Sequence, residues 1–431
     1  MKFYSLNRNS APVSFREAVL RGIAPDRGLY FPENIESLPA SFIANLIAHS
    51  NAELAFHAMQ QFTREDIPDM VLMEMVHEVL QFDFPLVSLT NEIAVLELFH
   101  GPTMAFKDVG ARFMAQCMGY FASSGSKETT VLVATSGDTG GAVARGFLGV
   151  EGVKVVILYP SGKVSNIQEK QLTTLGQNIT ALEVNGTFDD CQQMVKNAFL
   201  DPDLTTKLQL TSANSINVAR WLPQQFYYFI ACKALEERSQ PLVFSVPSGN
   251  FGNLCAGMVA QRLGLPIEHF IAATNINDTI PKFMKTGDYF AQPSSPTISN
   301  AMDVGDPSNF VRILELVDHD FDRLRKIFSS YSYTDKETRN AMKEIYKISG
   351  YVADPHGAVG YLGLKRFLQD HPEYYGVFLE TAHPVKFLDV VEDTLGFKQS
   401  LPKQIADITK KEKKAIAVDS YKDVKEYLLL S

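Results

Sequence analysis

The stretch TTVLVATSGDTGGAVARGFLG (residues 129–149) opens on an apolar β-branched run, crosses a loop of threonine, serine, glycine and aspartate, and closes on small residues with helical spacing. Strand, glycine-bearing loop and helix in that order is the unit of a parallel α/β sheet. The unit recurs in VKVVILYPSGKVSNIQEKQLTTLG (153–176) and in PLVFSVPSGNFGNLCAGMVAQRLG (241–264), and EHFIAATNINDT (268–279) adds a further strand and polar loop. Ligands of such sheets bind beyond the C-terminal strand ends, where these loops converge.

Two of the loops have the chemistry of anion sites. In SGNFGN, Ser248, Gly249, Asn250, Phe251, Gly252 and Asn253 precede a helical pattern, so close backbone approach and unpaired helix N–H groups could hold a phosphate dianion. In ATSGDTGGA, Thr135, Ser136, Thr139 and the amides around Gly137 and Gly140 could receive a carboxylate, with Asp138 at the mouth. Each loop can also be read as nothing more than a tight strand-to-helix turn. G-x-G-x-x-G is absent from both, and no acidic residue follows at dinucleotide spacing, which points to two small anionic groups.

A single lysine stands in FHGPTMAFKDVG (99–110), between a loop closed by Gly101 and Pro102 and the helical run AFKDVGARFMAQCMGYF. A helix start is an unusual place for a cation, because the helix dipole is positive there. By itself Lys107 would read as a surface charge. Combined with two anion loops on an α/β scaffold, it reads as an amine that bonds the aldehyde of pyridoxal 5'-phosphate.

The rest of the chain sets limits on function. At 431 residues two or three domains are expected, and 45% hydrophobic with 21% charged residues suits a globular protein with a large core. The formal net charge of −9 disfavours nucleic acid and acidic membranes as partners while leaving room for a small anionic substrate. Cys117, Cys191, Cys232 and Cys255 match no metal-ligand or disulfide spacing, so no metal is expected and the thiols read as buried in a reducing compartment. No leader-like or spanning apolar run is present, which makes a cytoplasmic location the expectation.

Residues 1–90 read as a mainly helical N-terminal domain, with Ser14 capping one helix. A first lobe is expected over 91–215, a second over 216–395 and a tail over 396–431, whose KKEKK run (410–414) reads as a solvated face. Monomer and homodimer are both compatible with the sequence.

The ordered series SFREAVLRGIAPDRGLYFP, LELFHGPTMAFKD, ATSGDTGGAVA, VVILYPSGKVS, SANSIN, SVPSGNFGN, AATNINDT, ISNAMDV, DPHGAV and TAHPVKF resembles the threonine synthases of the enteric and fungal-type branch. The resemblance runs from near residue 13 to near 387 and implies a two-lobed fold type II pyridoxal phosphate enzyme, similar to the tryptophan synthase β subunit, with an added N-terminal domain. It implies that Lys107 forms the Schiff base, that Ser248 to Asn253 cradle the cofactor phosphate, that the Thr381 hydroxyl meets the pyridine nitrogen, and that Asp138 lies near the ring oxygen. Thr135, Ser136, Gly137 and Thr139 match the substrate-carboxylate loop. Lys163, Ser165, Asn214, Ser215, Asn217 and Arg220 match positions for the substrate phosphate.

Asn214 and Asn217 could equally cap the following helix, and Arg220 could be a surface helix residue. His100, His356 and His383 read as loop-stabilising. The activity implied is conversion of O-phospho-L-homoserine and water to L-threonine and phosphate, the last step of threonine biosynthesis. A serine/threonine dehydratase-like lyase of the same fold, or a catalytically inactive threonine synthase-like binding protein, is the alternative.

Overall fold

Among the described residues thirteen short strands carry the loops, and their pairing decides which loops meet. The computed structural model describes residues 1–123 and 128–430. An antiparallel ribbon joins β1 (Phe3–Ser5) to β2 (Tyr30–Pro32). A larger sheet holds β3 (Leu86–Ser88), β4 (Ile93–Glu97), β9 (Leu242–Pro247), β10 (Ile267–Thr274), β11 (Phe328–Ser332) and β12 (Tyr375–Glu380) in the order β11-β10-β9-β12-β4-β3. The second sheet orders β5 (Thr129–Ala134), β6 (Val153–Pro160), β7 (Ile179–Val184), β8 (Gln209–Ser212) and β13 (Ile416–Val418) as β13-β7-β6-β5-β8. Apart from β3 against β4, every pairing in these two sheets is parallel.

The expected α/β class is therefore observed. β4 pairs with β12 along Gly376↔Ile93 to Glu380↔Glu97, and the other sheet begins at Thr129. The cause is burial, since Ile93, Ala94, Val95 and Leu96 are all buried and need a strand on each side. The consequence is functional. The backbone leading to Lys107 runs beside the one carrying Thr381, with the Phe106 N–H donating to Thr381 O at 2.8 Å and the His383 N–H to Met104 O at 3.0 Å.

The tail is more than a terminal helix. It adds β13 to the edge of β7 and places helices Lys403–Thr409 and Tyr421–Leu430 on the same lobe. Lys413 departs from the solvated-face reading, because its Nζ lies 2.7 Å from Glu169 and 2.8 Å from Glu183. These contacts fasten the tail to the helix Asn166–Thr173 that follows the SGKVS loop.

The N-terminal domain is mainly helical, as expected, with Ser14 accepting the Glu17 N–H at the start of Phe15–Arg21. Its attachment to the catalytic lobes depends on Arg312, which is fully buried. One Nη2 of Arg312 donates to Tyr30 O at 3.0 Å and to Ile216 O at 2.6 Å, while Nη1 bonds Asn309 Oδ1 and the guanidinium lies 4.8 Å from the Trp221 ring. Asn309 in turn donates to Asn250 O at 2.9 Å, so one guanidinium ties the ribbon, the SANSIN loop and the SGNFGN loop together. Arg312→Met, which keeps bulk but strands those buried carbonyls, is expected to cost about 3 kcal/mol. A lowered denaturation midpoint would show it; an unchanged one would refute it.

Candidate active site

Lys107 is the first residue of the helix Lys107–Ser123, and the turn before it is closed by its neighbour. Asp108 accepts the Thr103 N–H at 2.9 Å and the Thr103 hydroxyl at 2.6 Å, which satisfies the loop without using the lysine. Lys107 stays half-buried, and its Nζ takes no hydrogen-bond partner among the described residues. Burial drives its pKa down to about 8, and Lys386 and Arg220 push the same way against Asp138. An amine so placed is neutral in a useful fraction near physiological pH.

Asp138 begins the helix Asp138–Phe147 and is 5% exposed. Its Oδ1 lies 2.6 Å from Lys386 Nζ and accepts a hydrogen from Gln168 Nε2 at 2.9 Å. Burial opposes its ionisation, but Lys386 and Lys107 outweigh that, and the carboxyl is held well below the usual carboxylate range. Neither Lys386 nor Gln168 was singled out from sequence. The available signals were a lysine inside the TAHPVKF loop and a Ser-x-x-Gln capping pattern at Ser165.

The TSGDTG loop is shaped by Thr135, whose Oγ1 accepts the N–H groups of Gly137 at 2.9 Å and Gly140 at 2.8 Å. Gly137 has φ +136°, and a Cβ there would lie 2.4 Å from the Gln168 side chain, so only glycine fits. Ser136 and Thr139 remain partly exposed, and their hydroxyls bond no protein group among the described residues. Thr135 thus frames the loop while its neighbours face outward.

In SGNFGN, Ser248 spends its hydroxyl hydrogen on Val246 O and its N–H on Ala273 O, both at 2.8 Å. Asn250 is also committed, accepting the Ser308 N–H at 2.6 Å and donating to Ser215 Oγ at 2.5 Å. The donors left to an anion are the first-turn amides of the helix Gly252–Arg262, which Phe251 enters with φ +61°. Two observations fit a phosphate there. A Cβ on Gly249 would come within 2.8 Å of Met302 Cα, so the loop is drawn in tightly, and Asn253 keeps a buried Nδ2 without a partner while Tyr228 donates to its Oδ1. Thr381 is buried, and its hydroxyl takes no protein partner among the described residues.

The residues expected at the substrate phosphate divide into three groups. Lys163 is exposed at the loop mouth, and Ser165 caps the next helix by accepting the Gln168 N–H. Asn214 donates to Ala134 O and Ser215 links to the SGNFGN loop, so both are frame residues with some exposure. Asn217 corrects its expected role: it is fully buried, caps the helix Val218–Trp221, and donates both Nδ2 hydrogens, to Val19 O and Ser212 O, leaving none for a substrate. Arg220 is not a surface residue. It is 3% exposed, bonds Ala213 O through Nη1, keeps Nε without a partner, and pairs with no carboxylate among the described residues.

The three histidines serve the loops. His100 meets Glu97, His356 donates from Nδ1 to Asp354 and accepts the Ala301 N–H at Nε2, and His383 Nδ1 accepts the Val385 N–H.

Known proteins share this arrangement along the whole chain. A family model described as pyridoxal-phosphate dependent enzyme matches residues 85–377, one described as threonine synthase N terminus matches 2–80, and one described as threonine synthase, C-terminal, matches 357–428. The threonine synthase of Escherichia coli strain K12 is 44% identical over 409 residues, 94% of each chain. The crystal structure of the Escherichia coli threonine synthase superposes with a TM-score of 0.92 at 41% identity over all of both chains. The structure of pyridoxal phosphate-bound threonine synthase from Brucella melitensis gives 0.94 at 36% identity, over 99% of this chain and 98% of that one. On this agreement of sequence and fold, the chain belongs to the threonine synthase family of pyridoxal phosphate-dependent enzymes.

Proposed function

We propose that this enzyme converts O-phospho-L-homoserine and water to L-threonine and phosphate. The observation that carries the choice of substrate is Arg220, a buried guanidinium with an unpartnered Nε and no ion pair to a carboxylate among the described residues. Such a group is costly unless an anion arrives, and the guanidinium fork suits phosphate.

Bound through Lys107, pyridoxal phosphate supplies an electron sink for charge developing at substrate carbon. The residues of the chain supply the rest. Ser136, Thr139 and the Gly137 amide receive the substrate carboxylate. Arg220, with Lys163 and Ser165 at the mouth, holds the phosphate ester and takes up its charge as the Cγ–O bond breaks. Lys107 Nζ removes the proton at Cα and then one at Cβ as the Cγ–O bond breaks, and it returns one proton to Cγ and one to Cα, which one neutral amine over short distances can do in turn. Water then adds at Cβ. The Thr381 hydroxyl would meet the pyridine nitrogen as a neutral group, which would not enforce a protonated ring and would so restrain side reactions.

The test is phosphate and threonine measured from O-phospho-L-homoserine with added cofactor. Equimolar appearance of both is the expected result. Pyruvate from serine or 2-oxobutyrate from threonine, without phosphate release, would instead favour the dehydratase-like reading.

A further inference from the structure

We propose that Lys386 is a positioning residue for the catalytic amine: as the fixed counterion of Asp138 it occupies the carboxylate that, among the described residues, acts on Lys107, and so favours the neutral form of Lys107. The inference rests on reading Lys107 as the reactive amine.

Geometry is the first support. Lys386 has no exposed side-chain surface; its Nζ lies 2.6 Å from Asp138 Oδ1 and donates to Thr103 O at 2.9 Å. The same Asp138 oxygen accepts Gln168 Nε2, and Gln168 is itself fixed by the Ser165 N–H at 3.1 Å. Asp138 Oδ1 is thus held by Lys386 and Gln168 together. Lys386 is also anchored by its backbone, whose N–H donates to His383 O in the turn after β12.

Charge counting is the second. The groups facing Lys107 are Asp138 from the helix Asp138–Phe147, Lys386 from the turn after β12, and Arg220 from the helix Val218–Trp221. On its own helix Asp108 is taken by Thr103, Tyr227 donates its hydroxyl to Phe106 O, and His383, facing Lys386, is kept neutral by burial, with a pKa lowered to about 4. Asp138 and Lys386 cancel. A protonated Lys107 would then add an unbalanced buried cation beside Arg220, and its neutral form avoids this cost. Removing Lys386 would hand Asp138 to Lys107, and the balance would reverse.

The experiment uses cofactor-free protein and no substrate. An amine-reactive acylating reagent is applied in short pulses from about pH 6 to pH 11, and the labelled fraction of Lys107 is read by peptide mass spectrometry. The wild-type midpoint is expected near 8. In Lys386→Met it is expected to rise by more than one pH unit, at least a roughly fivefold loss of neutral amine at pH 8. The double variant with Asp138→Asn should return close to the wild-type midpoint. An unchanged midpoint in folded Lys386→Met overturns the inference.

Should Lys386→Met not fold, the isosteric Asp138→Asn reports in the opposite direction. Its midpoint should fall, and no fall would overturn the inference as well. A midpoint near 8 with no phosphate release from O-phospho-L-homoserine would instead defeat the proposed reaction and leave this inference standing.

Discussion

Lys107→Ala is expected to fold normally and to lose at least about 10,000-fold in turnover, since it removes the cofactor tether and the proton-transferring group together. Folding should survive because Lys107 Nζ takes no hydrogen-bond partner among the described residues, and the helix start is held by Asp108 and Thr103. Alanine is moreover the best helix former, and losing a half-buried cation relieves desolvation. Circular dichroism and thermal midpoint should match the parent. Borohydride reduction in the presence of cofactor should leave no label at position 107. Wild-type turnover in this variant would remove the basis for every role assigned above.

Much of this site was legible in the sequence because its parts are local. An apolar run ending in TSGDTG or SGNFGN states both the strand and the loop, and the position of Lys107 before a helical run states where the amine stands. What was not legible is what depends on partners distant in the chain. Nothing near residues 93–97 announces pairing with β12, yet that pairing brings Thr381 beside Phe106 and Lys107. Lys386 looks like any loop lysine until Asp138 is found 2.6 Å from it. Asn217 has the composition of a ligand and the hydrogen bonds of a cap, and only the positions of Val19 O and Ser212 O separate the two. Arg312 had no local signal, since its partners come from the ribbon and from two separate loops.

Arg220→Ala is expected to fold, to raise KM for O-phospho-L-homoserine strongly and to lower kcat/KM by about 100- to 1,000-fold, the effect of losing a charge-assisted contact in a buried site. Its Nε is unpartnered and it forms no ion pair among the described residues, so there its removal strands Ala213 O but no ion-paired carboxylate. The phosphate therefore pays most of the cost. This predicts a signature that a general loosening of the pocket would not give. Inhibition by inorganic phosphate should weaken in parallel with KM, while occupancy of the cofactor, for which we propose SGNFGN and Lys107 as the holding residues, should stay at the parent level. Loss of cofactor binding in Arg220→Ala, or an unchanged sensitivity to phosphate, would place the guanidinium outside the substrate's anion site and return the choice of substrate to an open question.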